Sequence, residues 1–378
     1  MQSPSPFDPP PVHGGNAPAL TGLLQSSPAR VPVTMALLAV NILIFVAMLF
    51  YGASLWHTTT TVPLTWGANF GPATQDGQWW RLGTAMFVHF GIIHLTLNMW
   101  ALWDIGRLLE QVYGRWRYAL LYLASGVLGN LLSLVIQGNQ AVSGGASGAI
   151  FGLYGALVLF LWRERGQVER GEFRWMFGAA TIFIALALVM GQLIPGIDNS
   201  AHIGGLFSGA LLGVALSRPW SWNSPRNHKL RLAALALVLL AAAGMVQQLP
   251  APSYRLGEEI RAREAISRFL RQDRHISQQW ESILGKGQEK QQTFDQLAGQ
   301  IDSAVTSEYQ ESFENLSTLH LDTAAPSART LEILRKYAEL RSNASQELSE
   351  GLRKRDANQI RKALESARQA PALARGAS

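Results

Sequence analysis

The sequence predicts an all-α protein in which a polytopic membrane helix bundle is followed by a helical region outside the membrane. The chain has 378 residues, of which only 15% are charged, against about a quarter in ordinary soluble domains. The deficit is uneven: residues 1–250 hold 13 Lys and Arg and 8 Asp and Glu, whereas residues 251–378 hold 19 and 18. This distribution excludes a single soluble globular domain.

The composition also narrows the classes of function. Most of the formal net charge of +6 comes from residues 1–250, where basic residues beside apolar runs set the orientation of a membrane protein. No cluster of cations with interleaved aromatic residues is present, so the sequence predicts no nucleic-acid partner. Cysteine is absent, which excludes disulfides, thiolate metal sites and cysteine nucleophiles.

Seven apolar runs predict membrane spans, since about 20 helical residues cross a hydrocarbon core about 30 Å thick. The predicted spans are 31–53, 92–112, 117–137, 147–162, 174–194, 201–217 and 231–249. The first six form a core, residues 31–217. Residues 218–250 are then a cytoplasmic connection and a seventh span. Residues 1–30 are rich in Pro, Ser and Gly, which predicts a disordered tail.

The basic residues predict how these spans are oriented. Twelve of the 13 Lys and Arg residues in 1–250 lie on alternate connections, and the other connections hold only Arg81. Because cytoplasmic connections carry the excess of Lys and Arg, the N-terminus is predicted to be cytoplasmic. Seven crossings place residues 251–378 outside the cytoplasm, in the periplasm for a protein of the bacterial inner membrane.

A serine and a histidine lie at matched depth in two of the predicted spans. Ser147 lies 16 residues before Arg163. His202 lies the same number of residues before Arg218, so each is about 24 Å from the inner charge boundary. On adjacent helices, such a pair can act as nucleophile and base. The alternative interpretation of Ser147 is a helix-packing residue.

Small residues predict that these two helices are adjacent. Glycines recur every four residues in both spans: Gly148 and Gly152 in one, and Gly205, Gly209 and Gly213 in the other. Such stripes allow close approach of helix backbones in membranes. Generic helix packing would produce the same pattern.

The residues before Ser147 suit an oxyanion site. Glycines such as Gly145 permit a sharp start to the helix, and its first N–H groups have no partner within the helix. Those donors can stabilise a developing oxyanion or bind a phosphate, but the Lys of a phosphate-binding P-loop does not follow.

Two further donors are predicted on one face of the second span. His94 and Asn98 are four residues apart and can both donate hydrogen bonds while neutral. They suit an oxyanion site inside a membrane; the alternative is a pair of contacts between helices. His89 does not share their face well, which disfavours a metal site. Asp198, four residues before His202, could orient that histidine as a third member of a triad.

Residues 80–218 resemble the rhomboid family of intramembrane serine proteases. Five motifs carry the resemblance, in this order: Trp80-Arg81 with Thr84 and Phe87; His89-x4-His94-x3-Asn98; Gly106-Arg107-x2-Glu110-x3-Gly114; Gly145-Ala146-Ser147-Gly148; and Ala201-His202-x2-Gly205-x3-Gly209. The resemblance covers the six-span core, residues 31–217, and does not extend to residues 251–378.

The resemblance implies a serine endopeptidase with a Ser147–His202 dyad and no metal or other cofactor. It implies that His94, Asn98 and the Ser147 backbone N–H stabilise the oxyanion. Arg81 and Glu110 would be structural, and the supporting residues would be Gly145, Gly148, Phe151, Gly205 and Gly209. One position departs from the commonest pattern: Phe151 stands where many members carry a tyrosine stacked on the histidine. A phenyl ring can still stack on the imidazole, so activity is expected to survive. The implied substrates are single-span membrane proteins, cut near the outer end of their helix.

Residues 251–378 are predicted to be an extracytoplasmic α-helical domain. The segments 255–315 and 326–369 carry apolar residues three or four apart, which predicts three or four amphipathic helices. Ala325-Pro326-Ser327 predicts a break, and Pro371 predicts the end of the last helix. These helices could recruit substrate, mediate self-association or form an appendage.

Two other classes of function compete with the protease. A catalytically inactive relative would bind membrane helices and guide their folding or disposal, but it would be expected to lack Ser147 or His202. A transporter or channel would need charged residues at mid-membrane, and only Asp104 comes close.

Overall fold

The structure is a computed structural model that describes residues 31–139, 141–217, 227–289 and 292–374. The predicted tail, 1–30, and the connecting residues 218–226 lie outside these ranges. The chain divides into two compact units, Met1–Ala251 and Pro252–Ser378. Within the described ranges the secondary structure is helical apart from one isolated bridge between Asn69 and Ser143.

Seven long helices in the described part of the first unit correspond to the seven predicted spans. They are α1 (Pro32–Phe50), α2 (Ile92–Tyr113), α3 (Arg115–Gln137), α4 (Ser147–Glu164), α5 (Arg170–Leu193), α6 (Asn199–Leu216) and α7 (His228–Gln247). Five are long and apolar enough to cross a membrane, or six if α2 is counted with the bent segment Arg81–Phe87. A polytopic membrane helix bundle is therefore confirmed, while seven crossings stay a prediction.

Helix α4 is outside that set because its 18 residues include a charged pair at the C-terminal end. Most of its residues are buried, and it ends on the charged pair Arg163 and Glu164. By contrast, α5 and α7 are mostly exposed and carry outward apolar residues such as Leu193 and Leu239, as expected for helices that face hydrocarbon chains.

A buried carboxylate fixes the start of α1. Glu110 is 2% exposed and accepts hydrogen bonds from the backbone N–H groups of Val33 (3.0 Å) and Thr34 (2.7 Å) and from the Thr34 hydroxyl (2.8 Å). These N–H groups have no partner inside their own helix. The N-terminus of a helix is also the positive end of the helix dipole, which favours a carboxylate there. The structural role predicted for Glu110 is confirmed.

The long segment between α1 and α2 is folded around Arg81. It contains three short helices and a 3₁₀ turn, namely Thr61–Thr65, Gly71–Thr74, Arg81–Thr84 and Ala85–Phe87. The Arg81 guanidinium donates to the carbonyls of Leu64 (2.6 Å) and Ala68 (3.0 Å) and is 5% exposed as a residue. Its predicted structural role is confirmed.

The described part of the second unit has its own helices and core. They are α8 (Leu256–Gln288), α9 (Phe294–Ile301), α10 (Ser307–Ser317), α11 (Ala328–Lys354) and α12 (Ala357–Ala374). A π-helical turn, Asp302–Thr306, joins α9 to α10 without a break, so these two helices form one continuous helical segment. This segment and the other three helices share one apolar core. Asp273 accepts hydrogen bonds from the hydroxyls of Tyr309 (2.7 Å) and Tyr337 (2.8 Å). Burial raises the pKa of Tyr309.

One boundary of the second unit was predicted correctly and one was wrong. Helix α11 begins at Ala328, directly after the predicted break. Pro371, however, lies inside α12, which continues to Ala374. Proline lacks the N–H that would bond the carbonyl four residues earlier. Here that carbonyl, of Ala367, lies 3.5 Å from a nitrogen of the buried Arg341 side chain, which donates to it instead.

Candidate active site

The first residue of α4 and the fourth residue of α6 meet in a hydrogen bond. The hydroxyl oxygen of Ser147 lies 2.8 Å from Nε2 of His202. His202 is buried and Ser147 is half-buried. With Nε2 accepting from the hydroxyl, the imidazole is neutral and carries its proton on Nδ1. This is the arrangement in which a histidine can remove the proton of a serine nucleophile.

Glycines bring α4 and α6 to this distance. A Cβ at Gly205 would overlap the carbonyl oxygen of Gly148, and a Cβ at Gly209 would overlap that of Gly152. Any larger residue at these two positions on α6 would push the helices apart. The predicted adjacency of the two helices is confirmed.

Asn199, rather than Asp198, contacts the far side of the imidazole. The Asn199 Oδ1 atom lies 3.3 Å from Nδ1 of His202. The Asn199 side-chain nitrogen donates to the Leu188 carbonyl of α5 at 2.9 Å. Because that bond fixes which way the amide faces, its oxygen is available to accept from the imidazole.

Asp198 caps α6 and ties it to neighbouring segments. Its carboxylate accepts from the Ala201 backbone N–H (3.1 Å), from the Ser143 hydroxyl (2.6 Å) and from the Ser133 hydroxyl. Asp198 is therefore an N-cap residue whose carboxylate is hydrogen-bonded to these three groups. The prediction that it could orient His202 as a third member of a triad was wrong.

Phe151 lies one helical turn after Ser147 and covers the imidazole. The rings of Phe151 and His202 are stacked, with centroids 4.3 Å apart and planes 3° apart. Phe151 is 3% exposed. The stack expected from the sequence is therefore present.

His94 and Asn98 lie together beside the residues that lead into α4. A Cβ at Gly145 would be 2.8 Å from Nε2 of His94 and 3.7 Å from the side-chain nitrogen of Asn98. Gly145 has a φ of +128°, a backbone conformation that favours glycine. Glycine is thus needed here both for its conformation and for space. Both donors lie against Gly145, which is two residues before Ser147 in the sequence.

His89 packs against His94 and against the residue before Ser147. It is completely buried, and its Nε2 lies 3.5 Å from the backbone nitrogen of Ala146, which donates to it. Its ring meets that of His94 edge to face, with centroids 5.1 Å apart. The described residues contain no group of three or more His, Cys, Asp or Glu side chains arranged to hold a metal ion.

Sequence reasoning missed two residues of this site. Asn199 lies three residues before His202, so the spacing that places both on one helix face was a usable signal. His89 belongs to a motif that carries the family resemblance, but no role was predicted for it beyond a disfavoured metal site. Its contact with Ala146 joins segments 57 residues apart, and no local pattern indicates such a contact.

The chain is similar in sequence to known rhomboid proteins. Residues 76–219 match the family model of the rhomboid domain. Rhomboid protease GluP of Bacillus subtilis (strain 168) is 35% identical over 222 residues, which are 59% of this chain and 41% of GluP. Rhomboid-type serine protease 2 of Emericella nidulans is 36% identical over 155 residues, 40% of this chain and 30% of that protein. The chain thus spans less than half the length of these two relatives.

A shorter relative is matched along most of its length. The candidate rhomboid protease YdcA of Bacillus subtilis (strain 168) is 34% identical over 183 residues, which are 48% of this chain and 86% of YdcA. Since the match covers nearly all of that protein and the rhomboid domain spans the helices that carry Ser147 and His202, the chain belongs to the rhomboid family.

Proposed function

We propose that this protein is an intramembrane serine endopeptidase in which Ser147 is the nucleophile and His202 the general base. The observation that carries the proposal is the 2.8 Å hydrogen bond between the Ser147 hydroxyl and Nε2 of His202. The names of its relatives, which include the words rhomboid protease and serine protease, support the same chemistry.

The reaction proceeds in two halves. Ser147 Oγ attacks the carbonyl carbon of the scissile peptide bond, and its proton passes to Nε2 of His202. The C–N bond then breaks, and His202 returns that proton to the leaving amine. A water molecule, deprotonated by His202, attacks the resulting ester; the product carboxyl is released and Ser147 recovers its proton.

The negative charge of each tetrahedral intermediate falls on the former carbonyl oxygen. We assign its stabilisation to the side chains of His94 and Asn98 and to the backbone N–H of Ser147. Both side chains lie against Gly145, and that N–H belongs to the first turn of α4. Neutral donors suit this position because a permanent cation inside a membrane is costly.

The proposed substrates are single-span membrane proteins cut near the outer end of their helix. A helix in lipid has all its amide groups paired, so a peptide bond becomes accessible to Ser147 only where the helix unwinds. Glycine, proline or small residues near the cleavage site should promote that unwinding.

The orientation is a further part of the proposal. The protein is an integral multi-pass membrane protein. The alternation of basic residues along the sequence supports a location in a bacterial inner membrane with the N-terminus in the cytoplasm and residues 251–378 in the periplasm. The chain has no cysteine, so Ser267→Cys would supply a single thiol on α8. We expect a membrane-impermeant maleimide to label it in intact cells, whereas labelling only after lysis would contradict this orientation.

A cleavage assay tests the proposed activity. Purified protein in liposomes is incubated with a generic single-span substrate, and wild type is compared with Ser147→Ala, His202→Ala and the double variant. Each single variant should abolish cleavage, and the double variant should be no worse, because members of one catalytic unit are not additive. Ser208→Ala is the matched control, since among the described residues that hydroxyl bonds only the carbonyls of Gly204 and Gly205 in its own helix.

Two results of this assay would contradict the proposal. Cleavage by Ser147→Ala at the wild-type rate would show that Ser147 and His202 do not form a catalytic dyad. Wild-type protein that binds the substrate helix without ever cutting it would indicate the inactive, helix-binding relative instead.

A further inference from the structure

Asp104 is an ionisable residue exposed on the surface of an apolar helix. It is the thirteenth of the 22 residues of α2, and it is exposed. A carboxylate at such a position in a membrane bundle is costly and by default indicates a function. The catalytic steps proposed above do not use it.

Asp104 ends a row of exposed residues along α2, which we call the α2 stripe. The other members are Ile93, Leu97 and Trp100, which are 61–62% exposed. The four positions follow the spacing i, i+4, i+7 and i+11, which places them on one face of the helix. The stripe is apolar up to Asp104, and its first member directly precedes His94 in the sequence. One end of the stripe therefore borders the proposed oxyanion site, and the other end carries a carboxylate.

Aromatic contacts connect the α2 stripe to the proposed dyad. The ring centroid of Phe183, on α5, lies 6.5 Å from that of Trp100 and 6.4 Å from that of Phe151, the ring stacked on the imidazole of the dyad. Phe183 also stacks on Tyr154 of α4, with centroids 4.3 Å apart, and the Tyr154 hydroxyl interacts with the Asp104 carboxyl. A helix lying along the stripe therefore passes the aromatic residues beside the dyad before it reaches Asp104.

Arg107 is the charged neighbour of Asp104 on α2, one helical turn further along. It attracts the carboxylate electrostatically, which lowers the cost of that charge in the membrane. The Arg107 guanidinium lies over the Trp103 ring, 4.7 Å from the centroid, and its Nε donates to the Trp103 carbonyl at 3.3 Å. A carboxylate accepts about four hydrogen bonds, so an exposed one can bind a further donor from outside the chain.

We propose that Asp104 binds a Lys or Arg side chain of the substrate helix. A basic residue within hydrocarbon is stabilised by a carboxylate partner, and Asp104 offers one at the end of the surface that leads to the dyad. In the proposed orientation, α2 runs from His94 toward the cytoplasm, and basic residues accumulate at the cytoplasmic ends of membrane helices. The charge expected on that part of a substrate is therefore complementary to Asp104.

The length of the α2 stripe limits where that basic residue lies. Asp104 is ten residues beyond His94, about 15 Å along α2. A fully helical substrate covers that distance in about ten residues, whereas unwound residues at the cleavage site, at about 3.3 Å each, cover it in fewer. The substrate class therefore has Lys or Arg about five to ten residues from the cleaved bond, on its cytoplasmic side. This inference rests on the proposed proteolysis and adds a rule of substrate selection to it.

An arginine scan of the substrate tests the inference. The parent substrate is a single-span helix rich in Leu, and each variant carries one Arg, placed from about the fifth to about the tenth residue beyond the cleaved bond. We measure kcat/KM in liposomes for wild type, Asp104→Asn and Asp104→Glu. At one or two adjacent Arg positions, Asp104→Asn should give a kcat/KM at least about tenfold below that of wild type, because the ion pair is lost. Asp104→Glu keeps the carboxylate and should restore most of the rate.

Two controls separate this effect from others. The parent substrate, with no Arg in that range, should be cleaved equally by wild type and Asp104→Asn. Glu169→Gln removes an exposed carboxylate outside the α2 stripe and should leave kcat/KM for every substrate within about twofold of wild type. Thermal unfolding measured alongside establishes that the variants are folded.

Three results would overturn the inference. Equal rates with wild type and Asp104→Asn at every Arg position would show that the carboxylate does not bind the substrate. A similar loss on the parent substrate would make Asp104 a structural residue, and a loss of equal size at every Arg position would indicate a general effect of charge. Failure of wild type to cut the parent substrate would instead contradict the proposed proteolysis, on which the inference rests, so the parent substrate distinguishes the two failures.

Discussion

The phenyl ring of Phe151 lies parallel to the imidazole of His202, with 4.3 Å between their centroids. Phe183 of α5 lies against Phe151 in turn, with centroids 6.4 Å apart. These contacts restrain the imidazole in the orientation in which its Nε2 meets the Ser147 hydroxyl. A hydroxyl on the stacked ring is not required for that restraint.

Replacing Phe151 by Ala should lower kcat by about tenfold or more, because small misplacements of reacting groups are costly in catalysis. Phe151→Tyr keeps the stacked ring and should retain activity. Phe207→Ala removes an exposed phenyl ring of α6 and serves as the control. Steady-state kinetics on a single-span substrate give the result, and full activity of Phe151→Ala would show that the stack is dispensable.

Asn199 should act as a positioning residue for His202. Asn199→Leu removes the oxygen that lies 3.3 Å from Nδ1 and should lower kcat by about tenfold with little change in KM, because the loss affects the orientation of the base. Asn199→Asp keeps an acceptor at that position and should recover most of the rate. Equal loss in both variants would point to a structural role in the contact with Leu188.

Asn98→Ala should slow turnover by about tenfold to a thousandfold, the range for loss of one oxyanion donor. The protein should remain folded, since the one hydrogen bond that the Asn98 amide donates within the described part of the chain is to the His94 carbonyl of its own helix. Turnover and the thermal unfolding midpoint are measured on the same preparation. A wild-type rate would leave Asn98 as a packing residue.

Gly205→Ala should impair both stability and activity, because the added methyl group overlaps the Gly148 carbonyl. Overpacking of this kind costs about 1–3 kcal/mol, and separation of α4 from α6 lengthens the Ser147–His202 hydrogen bond. Gly178→Ala places the same methyl group in open space on α5 and should change neither. Equal behaviour of the two variants in unfolding and cleavage assays would argue against close packing as the cause.

Local patterns predicted the parts of the fold that depend on composition and periodicity. Apolar runs located the long helices because burial in lipid demands an apolar exterior. The glycine stripes predicted the contact of α4 with α6 because only glycine permits that distance. Equal spacing from the inner charge boundary placed Ser147 and His202 at one depth, and the structure joins them.

Features that depend on long-range partners were not predictable in this way. Asp198 was a reasonable triad candidate by spacing, but the hydroxyls of Ser133 and Ser143, 65 and 55 residues away, engage it instead. Pro371 ordinarily ends a helix, but Arg341 of another helix bonds the carbonyl that proline leaves free. In both cases the deciding partner is far away in the sequence.

Covalent labelling tests whether His202 activates Ser147 as the nucleophile. A fluorophosphonate reagent reacts with an activated serine hydroxyl, and mass spectrometry of the digested protein locates the adduct. One adduct is expected, on Ser147, and it should be lost in His202→Ala although the Ser147 hydroxyl is still present. An adduct on another serine, or labelling of Ser147 that persists at the wild-type rate in His202→Ala, would contradict it.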